Sequence, residues 1–234
     1  IPARYNSSRL KGKLLMKVGK YTVIEHVINR CIKAVDKKKI LVATDNYKIV
    51  NLCKKININY LITSKKCLTG TDRVAEVAKK IKKNFYINVQ GDEIFVSPKS
   101  ILASIKAMSN KKNQIVNCYT NIKKQIEFNN HNVPKVVLDK NKNLLFISRS
   151  PIPGSKKKKF TRAFKQVCIY GFRRNPLLKY YFKNSKKSLI EKIKDIEIIR
   201  FLENGVKVKM IKVQGSKLAI DTHQNILQAR KILK

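Results

Sequence analysis

The sequence predicts an α/β fold built on a mostly parallel sheet, and three observations carry that prediction. Phe85–Val89 is a short run of apolar, β-branched and aromatic side chains, typical of a buried central strand, and the polar turn Gln90-Gly91-Asp92-Glu93 follows it directly. Segments with strand and helix patterns alternate before this run, as in a parallel sheet with right-handed crossovers. The chain has 234 residues, 43% of them hydrophobic, which suffices for one such domain with a substantial core.

The other elements follow from the hydrophobic pattern in chain order. Before the central strand, it predicts a polar loop at 1–13, a helix at 21–34, a strand at 40–45, a helix at 48–55, a strand at 60–63 and a helix at 74–82 capped by Thr71 or Asp72. After it, the pattern predicts a helix at 98–108, strands at 115–119, 135–139, 144–148 and 164–172, a helix at 189–204 closed by Gly205, strands at 206–211 and 218–220, and a helix at 226–233. No repeat or linker interrupts this order, so we expect one domain over residues 1–234 with its first strand truncated.

The charge balance is strongly basic. The chain carries 53 Lys and Arg against 14 Asp and Glu, a formal net charge of +39, which is typical of nucleic-acid-binding proteins. The lysines are, however, spread through the whole chain together with abundant Asn and Ile, and this favours an A+T-biased coding sequence. Only the short stretch 160–165 interleaves aromatic residues with cations, as a nucleic-acid-binding module would. We expect no specific nucleic-acid partner, and a basic nucleic-acid-binding protein stays the alternative from another class.

Cysteine usage and hydropathy predict a cytoplasmic protein. No apolar stretch approaches membrane-spanning length and the N-terminus has no signal pattern, so we expect no membrane insertion. The cysteines are odd in number, scattered and without a Cys-x-x-Cys pair, which indicates free thiols in a reducing compartment. They are Cys31, Cys53, Cys67, Cys118 and Cys168.

The N-terminal loop and the turn after the central strand are the candidate site. The loop combines cations at Arg4, Arg9 and Lys13 with a glycine before Lys13, and a triphosphate needs such cations together with backbone N–H groups. It is not a Walker loop, because Gly-x-x-x-x-Gly-Lys-Ser/Thr is absent. Asp92, at the carboxyl end of the strand, is placed to bind Mg²⁺ on substrate phosphates, although a merely solvated turn would have the same sequence.

Seven short motifs follow one another along nearly the whole chain. They are Ile-Pro-Ala-Arg-Tyr-x-Ser-x-Arg-Leu-x-Gly-Lys (1–13), Thr-Gly-Thr-Asp-Arg-Val-Ala-Glu-Val (69–77), Asn-Val-Gln-Gly-Asp-Glu (88–93), Pro-Lys-Val-Val-Leu-Asp (134–139), Ser-Arg-Ser-Pro-Ile-Pro (148–153), Ile-Tyr-Gly-Phe-Arg (169–173) and Ile-Asp-Thr (220–222). Each is weak alone. In this order they resemble the motifs of the sugar cytidylyltransferases, and most closely those of the CMP-Kdo synthetase family.

The resemblance implies transfer of CMP from CTP to the anomeric hydroxyl of 3-deoxy-manno-octulosonate (Kdo), an acidic eight-carbon sugar. Pyrophosphate would be released, and the product would serve lipopolysaccharide or capsule synthesis. It also implies a Rossmann-like nucleotidyltransferase fold with a smaller sugar-binding and dimerisation region, a homodimer, and Mg²⁺ as cofactor. We expect in-line attack by the sugar hydroxyl without an enzyme nucleophile, since phosphoryl transfer mainly needs positioning and charge neutralisation.

The resemblance also implies a role for each matching residue. Arg9 and Lys13, with Arg4, would hold the triphosphate; Ala3, Arg73 and Gln90 would line the cytosine pocket; Asp92 and Asp221 would carry Mg²⁺; Arg149, Gln166, Tyr170, Glu191 and Glu197 would face the sugar. The catalytic set among them is Arg9, Lys13, Asp92 and Asp221.

Simpler interpretations stay open for several of these residues. Arg73 would equally suit an exposed ion pair, Asp221 a helix N-cap and Tyr170 a core position. Glu191 and Glu197 are six residues apart and do not share a tight helical face.

The chain also departs from the family's motifs. In the nucleotide half, Lys11 and Ile94 each replace a usual proline, and His223-Gln224-Asn225 replaces Pro-Glu-Asp, which removes two acids behind Asp221; the resemblance of this half stands despite them. Gln166, where many relatives have His, and Cys168, where many have Gly, leave open whether the sugar is Kdo, its amino analogue or a neuraminate-like acid.

Overall fold

The computed structural model describes residues 1–7, 10–154, 156, 162–182, 186–216 and 218–233. The strands are β1 (Pro2–Ala3), β2 (Lys17–Val18), β3 (Tyr21–Thr22), β4 (Leu41–Thr44), β5 (Asn59–Ile62), β6 (Phe85–Val89), β7 (Ile115–Asn121), β8 (Lys135–Leu138), β9 (Leu144–Ser148), β10 (Phe164–Arg173) and β11 (Val208–Lys212). The α-helices are α1 (Val23–Ile32), α2 (Tyr47–Lys55), α3 (Gly70–Lys80), α4 (Pro98–Ser109), α5 (Gln125–Asn129), α6 (Arg174–Leu177), α7 (Leu189–Lys194), α8 (Ile199–Glu203) and α9 (His223–Leu233). Short 3₁₀ turns at Lys13–Leu15 and Lys37–Lys39 and a π-helical segment at Leu178–Phe182 accompany them. None of the helices in these ranges is long and apolar enough to cross a membrane.

The long strand β10 is the centre of the larger sheet. It pairs antiparallel with β6, β7 and β8, while β11 pairs in parallel with β7, and β9 pairs antiparallel with β8. In a smaller sheet β1, β4 and β5 are all parallel, and β2 and β3 form a separate antiparallel pair. The predicted α/β class is confirmed. The larger sheet is mixed, because β10 runs antiparallel to β6, β7 and β8, and β9 runs antiparallel to β8; the parallel pairings are those of β11 with β7 and of the smaller sheet.

The two faces of the larger sheet have separate apolar cores. Strand β10 contributes Ile169 to one buried cluster, which also contains the apolar face of α1. It contributes Phe172 to the other, where Phe201 on α8 stacks on Phe172 with ring centroids 5.7 Å apart and contacts Tyr181 at 5.1 Å. The aromatic contacts anchor α8 to the sheet. All five cysteines are free, as predicted.

Two predicted elements at the C-terminal end differ from the structure. The helix expected at 189–204 is two helices, because Asp195 adopts left-handed backbone angles (φ 50°, ψ 50°) and ends α7. Residues 218–220 form no strand, and the Ile220 N–H instead donates to the Asp92 carbonyl at 3.0 Å. Both differences come from contacts or backbone angles that hydrophobic periodicity does not report.

Helix α3 begins at Gly70, earlier than the hydrophobic pattern indicates. Its N-cap is Thr69, not Thr71 or Asp72 as predicted. The Thr69 hydroxyl accepts from the Asp72 N–H at 3.2 Å and donates to the Asp72 carboxylate at 2.5 Å, which satisfies an N–H group that the helix itself leaves free.

A buried arginine joins three helices. Arg200 on α8 directs Nε and Nη2 to the two carboxylate oxygens of Glu191 on α7, at 2.6 and 2.9 Å. Its Nη1 donates to Asp72 on α3 at 2.9 Å, and its guanidinium lies over the ring of Tyr181, 3.8 Å from the centroid. Removing one member of such a buried cluster leaves uncompensated charge, so the cluster fixes how α7 and α8 sit on α3.

Glu191 therefore has a different environment from the one predicted. Both of its carboxylate oxygens bind Arg200, the side chain is fully buried, and it completes the capping box of α7 with Ser188. The geometry favours a packing role for Glu191 over the predicted contact with a sugar.

We predict that Arg200→Met lowers the free energy of unfolding by about 3–5 kcal/mol, because two carboxylates would stay buried without a cation. Denaturant unfolding measures this loss. The matched control is Lys80→Met, which removes the half-exposed partner of Glu76, at 3.4 Å, and should change stability by less than about 1 kcal/mol. Equal small losses in the two variants would show that the Arg200 cluster does not hold these helices together.

Candidate functional site

Lys13 and two acids from distant parts of the chain meet at one point. Gly12, with φ 69°, turns the N-terminal loop into the 3₁₀ turn that begins at Lys13. The Lys13 ammonium donates to Asp92 Oδ2 at 2.6 Å, to Asp221 Oδ1 at 2.9 Å and to the Ile220 carbonyl at 2.7 Å. The structure thus brings together three of the four residues of the expected catalytic set.

The cation of this cluster is buried and its acids are accessible. Asp92 and Asp221 keep 26% and 32% of their side-chain surface exposed, whereas Lys13 keeps 10%. Burial alone would lower the pKa of Lys13, but the two carboxylates outweigh burial and raise the pKa above its usual value. Lys13 therefore stays charged at neutral pH, and a ligand can reach the two carboxylates beside it.

Asp221 does not cap the last helix. The cap is formed by Thr222, whose hydroxyl accepts from the Asn225 N–H at 3.3 Å. The Asn225 side chain in turn accepts from the Asp221 and Thr222 N–H groups, each at 3.1 Å. Asp221 thus contributes its backbone N–H to this turn, while its carboxylate binds Lys13.

Glu93 is a buried acid beside this cluster, and no role for it was predicted from the sequence. Its side chain is 7% exposed, and Oε2 has no hydrogen-bond partner among the described residues. Burial first, and then the Asp92 charge, raises the pKa of Glu93 to about 7, although bonds to Ser216 and Cys168 lower it. At neutral pH Glu93 is therefore only partly ionised, and it adds less than a full negative charge next to Asp92. The only sequence signal for it is its position in the Gln-Gly-Asp-Glu turn.

Arg73 was predicted to read cytosine, or else to form an exposed ion pair, and the structure buries it. Its Nη2 donates to Asp45 Oδ2 at 2.9 Å and its Nη1 to the Thr63 hydroxyl at 2.5 Å, with 2% of the side chain exposed. The other Asp45 oxygen accepts from the Tyr5 N–H at 3.3 Å. Arg73 therefore acts on the site through Asp45, which holds the start of the N-terminal loop.

Close backbone packing brings Gln90 to the start of α3. A Cβ atom on Gly70 would lie 2.9 Å from both amide atoms of Gln90, and one on Gly91 would lie 2.8 Å from the Pro2 carbonyl. Ala3 is fully buried in β1 beside this contact. The two glycines permit an approach that no larger residue would allow. That Ala3 and Gln90 line a cytosine pocket stays a prediction.

Glu197, predicted to face the sugar, binds the N-terminus of α3. Its Oε1 accepts from the Gly70 N–H at 3.2 Å, and its Oε2 accepts from the Thr71 N–H at 2.9 Å and from the Thr71 hydroxyl. Burial raises the pKa of Glu197 despite these bonds. Because Gln90 packs on Gly70, Glu197 links the region after β10 to the predicted nucleotide pocket. Spacing within α7 and α8 gave no signal for this contact.

Gln166 and Tyr170 lie on either side of a bulge in β10. The register shifts between Val167 and Tyr170, and the Asn117 amide stabilises the bulge by donating to the carbonyls of Val167 (3.2 Å) and Ile169 (2.9 Å). Gln166 Nε2 donates to Asn117 Oδ1 at 2.9 Å. Tyr170 is buried, which raises its pKa well above the usual value. The core interpretation of Tyr170 therefore agrees with its burial, and a sugar contact stays a prediction.

The remaining predicted residues are arginines. Arg149 is half-buried, and within the described part of the chain it donates to three backbone carbonyls: those of Lys194 (2.8 Å), Asp195 (3.0 Å) and His131 (3.3 Å). Arg4 is exposed and follows β1. The hydrogen bond from Lys187 and then the charges of Lys187 and Arg149 lower the pKa of Asp195, and the charge of Arg4 adds a smaller contribution. Arg9 lies outside the described residues, as do residues 160 and 161 of the basic and aromatic stretch.

Comparison with known proteins gives consistent matches over the whole chain. The family model for cytidylyltransferases matches residues 1–211. A 3-deoxy-manno-octulosonate cytidylyltransferase of Elusimicrobium minutum is 36% identical over 244 residues, covering 100% of this chain and 96% of that protein. One from Fusobacterium nucleatum is 34% identical over 236 residues, covering 100% and 95%. A solved structure of CMP:2-keto-3-deoxy-manno-octonic acid synthetase complexed with CTP superposes with a TM-score of 0.91 at 28% identity, covering 99% of this chain and 95% of its own.

We predict that Arg73 and Asp45 are coupled. In a double-mutant cycle with Arg73→Met and Asp45→Asn, the effects on the free energy of unfolding should be non-additive by about 1–3 kcal/mol, because either change alone leaves a charged partner unpaired in the interior. Urea unfolding of the four proteins measures the coupling. If the effects of the two changes on stability are additive, and Arg73→Met lowers CTP affinity while Asp45→Asn does not, the result would instead support the role of Arg73 in reading cytosine.

Proposed function

Since this chain belongs to the cytidylyltransferase family, we infer that it transfers CMP from CTP to 3-deoxy-manno-octulosonate. The anomeric hydroxyl oxygen forms a bond to the α-phosphorus, the bond between that phosphorus and the pyrophosphate oxygen breaks, and the hydroxyl proton is released. The observation that supports this most directly is the cluster of Lys13, Asp92 and Asp221. It combines a charged ammonium and two accessible carboxylates, the groups that phosphoryl transfer uses for positioning and charge balance.

The chain's own residues act mainly on the triphosphate. The Lys13 ammonium supplies fixed positive charge at the site, and Arg4 and Arg9 belong to the same loop. Asp45 and Arg73 hold that loop at the Tyr5 N–H. No covalent enzyme intermediate is needed, and burial raises the pKa of Cys168 well above its usual value, which keeps this neighbouring thiol protonated. The attack is therefore direct and in line.

Asp92 and Asp221 are the residues that would hold Mg²⁺. The described residues contain no group of three or more acidic, His or Cys side chains that could hold a metal ion. Two carboxylates nevertheless fit this ion, because Mg²⁺ in nucleotide sites usually binds one or two carboxylates and completes its shell with water and phosphate oxygens. When bound, the metal would neutralise charge that develops on the phosphates.

The sugar end of the site lies around β10 and the turn between α7 and α8. Arg149, Gln166, Tyr170 and Glu197 remain the proposed sugar-side residues, of which Glu197 also binds α3. Gln166 and Cys168 keep open an amino analogue of Kdo or a neuraminate-like acid as the sugar. A homodimer in the cytoplasm and a single domain over residues 1–234 stay part of the proposal.

The test of the reaction is pyrophosphate release with each of the four nucleoside triphosphates, combined with Kdo, its amino analogue and N-acetylneuraminate. We expect release with CTP and Kdo, strong preference for CTP over ATP and GTP, and an intermediate rate with UTP, because a hydrogen-bonding pocket rejects bases that leave its polar groups unpaired. Equal rates with CTP and ATP would contradict the cytosine pocket. Pyrophosphate release with another acidic sugar but not with Kdo would contradict Kdo as the substrate and would still support the same class of reaction.

We predict that Asp92→Asn and Asp221→Asn each lower turnover on the order of a hundredfold, the scale of losing one electrostatic stabiliser. Both variants should fold normally, and added Mg²⁺ should restore part of the activity. Thr222→Ala is the matched control: it removes the cap of α9, so it should lower stability by about 1 kcal/mol and leave turnover unchanged. Full activity in Asp221→Asn with a lowered melting temperature would show that the two-carboxylate site is wrong.

A further inference from the structure

A fully buried lysine lies at the start of β8. Lys135 is 0% exposed, and its ammonium donates to the backbone carbonyls of Asn130 (2.8 Å), Val133 (2.7 Å) and Arg149. These bonds use all three of its N–H donors. None of the carboxylates in the described part of the chain pairs with it, and the charge felt most closely is that of Arg149. Lys135 is thus a buried cation held only by neutral carbonyls.

Such a lysine costs free energy that an apolar residue would not. A buried charge is unfavourable unless it is paired, and replacement of buried charges by apolar side chains is often neutral or stabilising. Val136 follows Lys135 in the same strand, and Ile147 pairs with Val136 across the hairpin; both are buried apolar residues. Burial, and then the Arg149 charge, lowers the pKa of Lys135. The packing of β8 therefore does not explain why this buried position is occupied by a lysine and not by an apolar residue.

The turn whose carbonyls bind Lys135 also binds Arg149, through a different carbonyl. Lys135 binds the carbonyls of Asn130 and Val133, and Arg149 Nη1 binds the carbonyl of His131 in the same turn. On the far side, Arg149 donates through Nε and Nη2 to the two carbonyls at the end of α7. These bonds use three of its five N–H donors. The guanidinium is fixed from two sides and keeps donors for a ligand.

Asp195 is the acid closest in sequence to these contacts, and its carboxylate pairs with a residue other than Arg149. The Asp195 carboxylate binds Lys187 at 2.8 Å, while its backbone carbonyl accepts from Arg149. Two neighbouring cations are therefore held by carbonyls, and neither forms a direct ion pair with a carboxylate of the described residues. An arrangement of this kind favours binding of an anion at the half-exposed member, Arg149.

We propose that Lys135 is a positioning residue, which fixes Arg149 for binding the carboxylate of the sugar substrate. The inference rests on the proposed function, because that function supplies an acidic sugar. Lys135 itself does not touch the substrate. It binds the Arg149 carbonyl and the turn that Arg149 also binds, so the guanidinium is preset before the sugar arrives. Preset geometry of this kind lowers the KM for the group that is bound.

The experiment is steady-state pyrophosphate release by Lys135→Met, with CTP and Kdo varied separately. We expect the KM for Kdo to rise about tenfold or more, as for a binding group that has lost its fixed position. The KM for CTP should stay within about twofold, because none of the described residues proposed to bind CTP shares a hydrogen-bond partner with Lys135. The matched control is Lys209→Met. Lys209 is another lysine of this sheet and donates to one carbonyl, that of Asn141 at 2.5 Å, so its replacement should leave both KM values unchanged.

A second comparison separates this inference from the function on which it rests. Arg149→Gln should also raise the KM for Kdo, and Lys135→Met should add little to it in that background, because both act through one guanidinium. If Arg149→Gln raises the KM for Kdo while Lys135→Met does not, the positioning role is overturned and the proposed function stands. If Arg149→Gln leaves the KM for Kdo unchanged, Arg149 does not bind the sugar and the inference fails with it. No turnover by the unaltered protein with any sugar would contradict the function itself.

Lys135→Gln keeps the inference testable if Lys135→Met does not fold. Glutamine retains donors for the carbonyls but removes the charge and shortens the reach. A raised KM for Kdo with an unchanged KM for CTP, in a protein with a cooperative melting transition, supports the role. Equal changes in the two constants, or only a lowered melting temperature, would show that Lys135 is merely structural.

Discussion

The bonds from the Lys13 ammonium to Asp92 and Asp221 are the constraint on which the site depends. They tie the N-terminal loop, the turn after β6 and the segment before α9 to one point. Each partner needs the others: Lys13 is buried and requires compensating charge, and the two carboxylates would repel each other without it. The Ile220 N–H bond to the Asp92 carbonyl fixes the backbone of the same contact. These bonds therefore hold the ammonium and the two carboxylates at fixed positions relative to one another.

Helix α3 transmits this frame to the other half of the molecule. Its N-terminus binds Glu197, its first turn carries Asp72, which binds Arg200, and its Arg73 binds Asp45 beneath the N-terminal loop. The helix thus contacts both the nucleotide-side loop and the region that carries α7 and α8. Because these are buried, charged and geometrically specific bonds, a shift of α3 would move both ends of the proposed site together. Helix α3, in addition to the sheet, therefore keeps the proposed site rigid.

The sequence predicted the elements and the central cluster, but not most partners. Periodicity predicted the strand at Phe85–Val89, and the loop that carries Lys13 and the turn that carries Asp92 were predicted to form one site; the direct bond between Lys13 and Asp92 was not predicted. The structural roles of Arg73 and Glu191 could not be predicted, because their partners, Asp45 and Arg200, are set by three-dimensional packing. Spacing alone treats a buried and an exposed arginine alike. The same limit hid the burial of Glu93 and the binding of Glu197 to α3.

The placement of the acids explains how a chain with a net charge of +39 keeps a balanced site. Of its 14 Asp and Glu residues, seven lie in the clusters around Lys13, Arg73 and Arg200 and at the start of α3: Asp45, Asp72, Asp92, Glu93, Glu191, Glu197 and Asp221. The excess of positive charge therefore arises mainly on the remaining surface, where lysines have few acidic neighbours and water screens them. Acids are retained where a buried cation or a helix terminus depends on them. This distribution is expected if a compositional bias towards lysine alters exposed surface positions, while acids that pair with buried cations or helix termini are kept.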